Sequence, residues 1–569
     1  MILDGKPLVP DFPDPPRMIS IYQAIGILGR LKKPKTTQNL MRHCTIDDPV
    51  VRVWALSSML LKTRTLEGPL LEATMQAAHY SSYMRSLLIP LLLRGLRFDL
   101  IQLVQTLEEK ARSETSTLNG QLSTAMIKNE YQAEVALHEK LYLQTGNLRH
   151  VIQARDVASM RLNWKDALKH LLRVTFTYSE PLQSTTIGLL RMLEAEDARA
   201  EFKTIAQVIS PNQDILFAVV YAAAQLQYWG KDYARAINIL TESGALELAK
   251  GRMFARFSHL VANCHEKLAD FQSAAQWYQK QNNALKLKKS KPQQFIAELE
   301  RRANALLPVL PPDENNRHFV MTGFTRSGTT LLENVLASHP DVVTCEESLS
   351  FNKALHTAFH LDLAEDPQKN NVALRAQFNR SLYYQELNRF VDKPSPKAII
   401  DKTPMMSANI KYLEKLMPEK RYIFSIRHPY DVVLSNYKQI YNQTIEMVAF
   451  NDIYHACVQY DFVMRSWFDV FPGKDERVYY VVYDELINDF DKVVRGALDH
   501  IGVEWSDDVN AFAQSSSERA VRTPSYAKVR QGLGIGVQST REDYGFLFDD
   551  RCRRLLDPWV DRHGYSEQA

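Results

Sequence analysis

The stretch TGFTRSGTTLLENVL, residues 322–336, determines the predicted fold of the second half of the chain. It has the G-x-x-x-x-G spacing of a phosphate-binding loop, from Gly323 to Gly328. HFVMTGF before the loop is typical of a buried strand, and TTLLENVL after it is typical of a helix. A loop in this context directs backbone N–H groups and a helix N-terminus towards an anion. The stretch therefore predicts a phosphate cradle.

The loop differs from that of ATP-hydrolysing enzymes at one position, where Thr329 replaces the expected lysine. In those enzymes the lysine reaches the β- and γ-phosphates. Arg326 supplies a different cation from within the loop, and the hydroxyls of Thr329 and Thr330 supply donors. We therefore expect an anionic ligand without a triphosphate tail.

Further strand-like segments follow the loop, namely DVVTCEE, KAIIDK, RYIFSIR and VYYVVYD. Helical stretches such as PYDVVLSNYKQIY separate them. Alternation of strands and helices predicts an α/β domain with a mainly parallel sheet. We assign this domain to residues 319–569.

A second candidate site lies in SIRHPYDVVLSNY, residues 425–437. Arg427 is predicted to end a strand, Pro429 suits the first turn of a helix, and Ser435 lies about two turns further on. An arginine at a strand end and a serine on the next helix can hold a phosphate together. Taken alone, this segment is more typical of a surface arginine and an ordinary helical serine than of a phosphate site.

The lysine-free loop and the R-x-P-x-D-x-x-x-S pattern together resemble the sulfotransferase superfamily, whose donor is 3′-phosphoadenosine 5′-phosphosulfate. The resemblance implies an α/β domain related to phosphate-loop proteins. It also accounts for the missing lysine, because this donor has no γ-phosphate. The positions that match the donor-binding motifs are Arg326, Ser327, Gly328, Thr329 and Thr330 for the 5′-phosphosulfate, and Arg427 and Ser435 for the 3′-phosphate.

Two later segments extend the resemblance. VVYDEL places Tyr483 where it would pack against the adenosine, although an aromatic residue at a strand end also suits a core position. VRTPSYAKVRQ resembles the late donor-binding loop and supplies Arg530. The next stretch departs from the family pattern, because QSTREDY lacks the expected glycine and tryptophan. Because of this departure, the sequence does not determine whether residues 538–541 close over the donor.

The resemblance also implies catalytic roles. HPDVVTCEES resembles the paired-glutamate segment of protein-tyrosine sulfotransferases, which makes Glu347 the expected general base and Glu346 the alternative. A strand-end carboxylate engaged in a salt bridge is the non-catalytic interpretation. DKTP supplies Lys402 to stabilise developing charge, with Arg326 assisting and Ser525 as a weaker member of the cluster. No metal is required by this chemistry.

The first 305 residues are predicted to be helical, in an arrangement that resembles degenerate tetratricopeptide repeats. Aromatic residues recur after short turns at Tyr131, Trp164, Tyr233 and Phe271, with intervals of 33, 69 and 38 residues. A helical hairpin of about 34 residues, counted twice in the middle interval, predicts this spacing. A non-repetitive helical array is the alternative. The proline-rich stretch 306–318 is the predicted linker.

The bulk composition is that of an ordinary folded protein, with 45% hydrophobic and 24% charged residues. A net charge of +3 argues against a nucleic-acid partner. The five cysteines are scattered, which fits a reducing compartment, and no apolar run approaches the roughly 18 residues of a membrane span. We expect a cytoplasmic protein whose repeats bind a protein partner or mediate self-association.

The sequence thus predicts an enzyme that transfers a sulfuryl group to an acceptor hydroxyl. A protein or peptide tyrosine is favoured over a carbohydrate or a small metabolite. The inserts at residues 350–395 and 438–470 are expected to shape the acceptor pocket. Two alternatives stay open, namely a non-catalytic repeat scaffold with a nucleotide-sensing domain and a phosphate-loop kinase or hydrolase.

Overall fold

The computed structural model describes the residues in the following ranges, and the fold and contacts given below are those of these residues. They are 49–60, 68–81, 83–85, 87–88, 92, 100, 104, 114–128, 131–161, 182–195, 197–209, 215–286, 293–304, 309–312, 317–347, 372–388, 391, 393, 395–511 and 541–566. The chain forms two compact units. The first contains residues 1–226 and 518–522, and the second contains residues 227–517 and 523–569.

The described elements of the first unit are helices. They are α1 (Pro49–Leu60), α2 (Gly68–Ala78), α3 (Glu114–Lys128), α4 (Tyr131–Thr145), α5 (Leu148–Arg161), α6 (Leu182–Ala195), α7 (Arg199–Ile209) and α8 (Leu216–Trp229), which ends three residues inside the second unit.

The second unit begins with five more helices, which lie in the region predicted to contain repeats. They are α9 (Tyr233–Glu242), α10 (Ala245–Leu248), α11 (Gly251–Lys267), α12 (Phe271–Leu285) and α13 (Gln293–Ala303). Its other helices are α14 (Thr329–Ser338), α15 (Val372–Asn388), α16 (Ile410–Leu416), α17 (Pro429–Tyr437), α18 (Ile453–Val470), α19 (Tyr483–Asn488), α20 (Phe490–His500) and α21 (Asp550–Arg562).

The aromatic positions of the predicted repeats lie at helix starts. Tyr131, Tyr233 and Phe271 are the first residues of α4, α9 and α12. Asp232 and Asp270 act as N-caps immediately before two of them, each accepting a hydrogen bond from a backbone N–H three residues on. Trp164 lies outside the described residues. The tetratricopeptide character and the limits of the repeat domain stay predictions.

A five-stranded sheet forms the centre of the second unit, as the alternation of strands and helices predicts. Its strands are β1 (His318–Gly323), β2 (Val342–Glu346), β3 (Ala398–Lys402), β4 (Arg421–Ile426) and β5 (Val478–Val482). Their order is β2-β3-β1-β4-β5, and all four pairings are parallel. The predicted α/β domain with a parallel sheet is confirmed.

Both faces of this sheet are buried, as is usual for parallel strands. Phe319 and Met321 of β1 point into one hydrophobic cluster, which includes apolar residues of α14 and α20. Val320 of the same strand points into the other cluster, together with Phe424 of β4 and Trp467 of α18. Side chains alternate along a strand, so β1 contributes to the clusters on both faces of the sheet. Since helices cover both faces, a ligand can reach the sheet at the strand ends.

None of the described helices combines the length and the apolar character that a membrane crossing requires.

Candidate functional site

Each strand of the sheet has, as its last residue or directly after it, a residue that the sequence singles out. The phosphate loop follows β1, Glu347 follows β2, and Lys402 is the last residue of β3. Arg427 follows β4, and Tyr483 follows β5. Since all five strands are parallel, these ends lie along the same edge of the sheet. Ligands bind at this edge in open α/β sheets, at the strand where the order reverses, which here is the central strand β1.

The loop after β1 leads directly into α14, with Gly328 as the N-cap and Thr329 and Thr330 as the first helical residues. The side chains of both threonines are buried. Gly328 has a φ of 95°, and a Cβ added there would lie 2.4 Å from a ring carbon of Tyr483. Glycine is therefore required at this position by backbone conformation and by the close approach of the Tyr483 ring.

A cluster of two arginines and one serine lies beside this loop. The Arg326 Nε donates a hydrogen bond to the Ser435 Oγ at 3.1 Å, and the Arg427 Nη1 donates to the backbone carbonyl of Arg326 at 3.4 Å. The Arg427 guanidinium also lies 4.8 Å from the centre of the Tyr483 ring. Arg326, Arg427, Ser435 and Tyr483, which the sequence assigns to donor binding, are thus brought together.

The electrostatics of this cluster suit an anion. Burial lowers the pKa of Arg326, and the positive charge of Arg427 lowers it further, whereas the charge of Glu347 acts in the opposite direction. Two cations that repel each other in a partly buried site gain free energy when an anion binds between them.

Three carboxylates surround the ammonium group of Lys402. Its Nζ lies 3.1 Å from the Glu333 Oε2, 3.3 Å from the Glu346 Oε1 and 3.5 Å from the Glu347 Oε1. Burial lowers the pKa of Lys402, but the three carboxylates outweigh this effect and raise the pKa above its ordinary value. The Lys402 side chain is fully buried, whereas that of Glu347 is 47% exposed. Glu347 is therefore the carboxylate of this group that is most accessible to an acceptor.

Two of these site residues have backbone conformations that are uncommon for residues other than glycine. Arg326 has a φ of 73° and Glu347 has a φ of 42°. The Glu347 backbone is held by a hydrogen bond from its N–H to the Lys402 carbonyl at 2.7 Å. Left-handed conformations cost free energy and are concentrated at functional sites, where the surrounding structure maintains them.

Several residues at this edge were not found by sequence reasoning. Glu333 lies in α14, where residues 329–337 are all buried. A glutamate within this largely apolar helix is the sequence feature that could have indicated a buried charged group. Asn436 donates to the Thr325 carbonyl at 2.9 Å and accepts from the Tyr441 hydroxyl at 2.8 Å. No sequence pattern indicated Asn436, because its partner Thr325 lies 111 residues earlier in the chain.

His339 has a capping role at the end of α14. His339 is the C-cap of α14, its Nδ1 accepts from the Asp341 backbone N–H, and its Nε2 hydrogen-bonds to the Glu504 carbonyl. Ser525, Arg530 and residues 538–540 lie outside the described residues. Arg541 is described, and its guanidinium lies 3.5 Å from Asp431 in the first turn of α17.

The fold and this edge of the sheet define an α/β domain with a phosphate-binding type of loop that contains arginine instead of lysine. Residues 319–507 match the sequence profile of the family described as "Sulfotransferase family". This part of the chain is therefore similar to the sulfotransferase superfamily.

An uncharacterized protein of Aquifex aeolicus (strain VF5) is 27% identical over 268 residues, which are 44% of this chain and 34% of that protein. The chain thus spans about a third of the length of this relative.

Two solved structures are also similar. The sulfotransferase domain of the Synechococcus PCC 7002 olefin synthase has 17% identity and a TM-score of 0.30, covering 45% of this chain and 98% of that domain. A mouse sulfotransferase complexed with PAP has 16% identity and a TM-score of 0.25, covering 46% of this chain and 92% of that one.

Proposed function

We propose that the protein transfers a sulfuryl group from 3′-phosphoadenosine 5′-phosphosulfate to an acceptor hydroxyl. The observation that carries this proposal is the meeting of Arg326, Arg427 and Ser435 beside a phosphate loop that has no lysine. A donor with two separate phosphate groups and no triphosphate tail matches this set of cations and hydroxyls.

The chemistry of the donor site is consistent with this nucleotide. The N-terminus of α14 at Gly328 directs backbone N–H groups towards the loop, Thr329 and Thr330 supply hydroxyls, and Arg326 supplies charge within the loop. Arg427 and Ser435 would hold the 3′-phosphate, because an arginine and a hydroxyl together provide charge and directional donors. The Tyr483 ring, half-buried between Gly328 and Arg427, offers a flat surface for the adenosine.

The donor supplies the sulfuryl group when it is bound, and the protein supplies the base and the electrostatic environment. We assign the base to Glu347, whose exposed carboxylate would take the proton from the acceptor hydroxyl. Lys402 orients this carboxylate through their contact at 3.5 Å. Arg326, Lys402 and the α14 N-terminus would stabilise the negative charge that develops on the leaving group. Ser525 and Arg530 complete the proposed set from the segment outside the described residues.

A titration with adenosine 3′,5′-bisphosphate tests the donor site. We expect the wild-type protein to bind this product nucleotide in preference to ATP with magnesium. Arg427→Ala should weaken binding by about 10- to 100-fold, since a hydrogen bond to a charged group contributes about 1.5–3 kcal/mol. Arg465→Ala is the control, because this arginine is 66% exposed and pairs with Asp461 on α18. A preference for ATP, or binding of neither nucleotide, would contradict the proposal.

The acceptor that we propose is a tyrosine hydroxyl of a protein or peptide. The basis is the similarity of the segment containing Glu346 and Glu347 to protein-tyrosine sulfotransferases, together with the exposure of Glu347. Transfer of labelled sulfuryl groups to a tyrosine peptide, a carbohydrate and a small phenol would separate the candidate acceptors. A protein that binds the bisphosphate but transfers to none of them would instead favour a nucleotide-sensing scaffold.

A further inference from the structure

Helix α17 makes its contacts with the phosphate loop through its last turn. Ser435 accepts the hydrogen bond from Arg326, and Asn436 donates to the Thr325 carbonyl at 2.9 Å. The Asn436 amide also donates to the Val432 carbonyl of the same helix at 2.8 Å. The position of this turn therefore determines where the Ser435 hydroxyl lies relative to Arg326.

The carbonyls at the end of α17 are bonded by side chains from a distant helix. The last carbonyls of a helix have no partners within it, and they need other donors when they are buried. The Asn282 amide donates to the Tyr437 carbonyl at 2.9 Å. The Gln281 amide donates to the Lys438 and Gln439 carbonyls at 3.3 and 3.4 Å. Both amides belong to α12, about 155 residues earlier in the chain.

The two amides are themselves held in place. The Gln281 amide donates to the Asn282 Oδ1 at 3.0 Å, and the Gln281 Oε1 lies 2.8 Å from the His259 Nδ1 of α11. Gln281 and Asn282 are 0% and 1% exposed. A buried polar network in which every group has a partner is rigid, and it defines one arrangement of the groups that it bonds.

A largely buried ion pair, whose side chains are 12% and 17% exposed, strengthens the same contact. The Lys438 Nζ lies 2.8 Å from the Glu266 Oε1 of α11, and the Tyr278 hydroxyl donates to the other Glu266 oxygen at 2.8 Å. The Lys438 ammonium also lies 4.0 Å from the centre of the buried Tyr544 ring. Separating such a pair would leave a charge buried and unpaired, which is strongly unfavourable.

We propose that the hairpin formed by α11 and α12 is a positioning element of the donor site, which holds Ser435 against Arg326 through the amides of Gln281 and Asn282. This inference rests on the proposed function, because it assigns the 3′-phosphate to Arg427 and Ser435. The helices next to the sulfotransferase sheet then contribute to donor recognition as well as to any contact with a partner.

A comparison of two nucleotides separates a positioning role from a general role in folding. Adenosine 3′,5′-bisphosphate carries the 3′-phosphate and adenosine 5′-monophosphate lacks it. We expect Asn282→Leu, which leaves the Tyr437 carbonyl without its donor, to weaken binding of the bisphosphate by about tenfold. Affinity for the monophosphate should stay unchanged, because the phosphate loop is not altered. Both affinities can be measured by calorimetry, the weaker one by competition.

Asn283→Leu is the matched control, since Asn283 is the next residue of α12 and is exposed. It should leave both affinities unchanged. If Asn282→Leu does not fold, Gln281→Met removes the neighbouring donor and is tested in the same way. An equal loss of affinity for both nucleotides, or no loss for either, overturns the positioning role while the donor site stands. If the wild-type protein does not bind the bisphosphate, the proposed function is wrong and the positioning role is wrong with it.

Discussion

At the scale of single residues, the charges around Lys402 decide how the site is held together. One buried ammonium contacts the carboxylates of Glu333, Glu346 and Glu347 from α14, β2 and the residue after β2. The pairing of β2 with β3 sets Glu346 directly beside Lys402. Glu347 differs from the other two carboxylates in its exposure, so the same lysine serves a structural cluster and the proposed base.

Glu347→Gln tests the proposed base. The amide keeps the size and the polar character of the side chain but cannot accept the acceptor's proton, so sulfuryl transfer should fall by about 100-fold or more. Binding of adenosine 3′,5′-bisphosphate should stay within about twofold of wild type, because Glu347 is not among the donor-binding residues. Glu346→Gln is the matched comparison, and full activity of Glu347→Gln with loss in Glu346→Gln would move the role to Glu346.

Lys402→Met tests the buried cluster through stability. Removing the ammonium leaves the Glu333 and Glu346 carboxylates, which are 1% and 8% exposed, without their cation. We expect the free energy of unfolding to fall by about 3–5 kcal/mol in urea titrations. Lys411→Met is the control, because its pair with Asp469 is exposed, and it should change stability by less than about 1 kcal/mol. Equal effects of the two substitutions would show that the cluster around Lys402 is not specifically stabilising.

At the scale of elements, the junction between β4 and α17 connects the sheet to the donor site. Arg427 follows the strand, His428 is the N-cap, and Pro429 occupies the first helical position, where its missing N–H costs nothing. His428 is buried, and its ring lies 4.9 Å from the Tyr565 ring. At this junction the titratable His428 directly follows Arg427, a proposed ligand of the 3′-phosphate.

The ionisation of His428 should make stability depend on pH. Burial lowers the pKa of His428 to about 4, assisted by the charges of Arg541 and Arg427 against that of Asp484. The ring is neutral in the folded protein, whereas in the unfolded chain it takes up a proton below about pH 6.5. The unfolded state therefore binds more protons between pH 6.5 and 4, and stability falls as the pH is lowered through that window, by up to about 1.4 kcal/mol per pH unit.

Melting temperatures between pH 7.5 and pH 4.5 measure this dependence. His428→Asn removes the titrating group, so its melting temperature should fall less steeply with decreasing pH than that of wild type. His455→Gln, at a histidine whose side chain is 33% exposed, is the control for the loss of one imidazole. Identical slopes for wild type and His428→Asn would contradict the role assigned to His428.

At the scale of the whole molecule, the two compact units divide between residues 226 and 227, whereas the proline-rich stretch lies at residues 306–318. Helices α9–α13 belong to the same compact unit as the sheet. Part of the stretch itself is tied to that unit, because the Leu310 N–H donates to the Lys415 carbonyl at 2.9 Å and the Pro311 carbonyl accepts from Arg380. The contacts of Gln281, Asn282 and Glu266 lie within this unit.

A comparison of two fragments tests this organisation. The fragment 230–569 retains α9–α13 and should unfold in urea as one cooperative unit. The fragment 306–569 lacks the partners of Lys438 and of the carbonyls at the end of α17, so it should be destabilised by several kcal/mol and lose its near-ultraviolet circular dichroism. A fragment 306–569 with the same unfolding midpoint as 230–569 would show that these helices do not stabilise the sheet.

The local pattern of the sequence was sufficient to predict the strands, the phosphate loop and the helices that follow it. All five predicted strands exist and are parallel, because apolar runs and turn residues report on the few neighbours that form an element. The same local signals located Arg427 at a strand end and Ser435 on the next helix. The assignment to the sulfotransferase superfamily also followed from these motifs.

Contacts between distant segments were decided by the tertiary structure alone. The three carboxylates around Lys402, the hydrogen bond from Asn436 to the Thr325 carbonyl, and the bonding of the α17 carbonyls by Gln281 and Asn282 correspond to no periodic pattern in the sequence. Such contacts depend on how the elements pack, because the type of a buried polar residue does not identify its hydrogen-bond partner. The sequence determined which chemical groups the site contains, and packing decided which groups hold them in place.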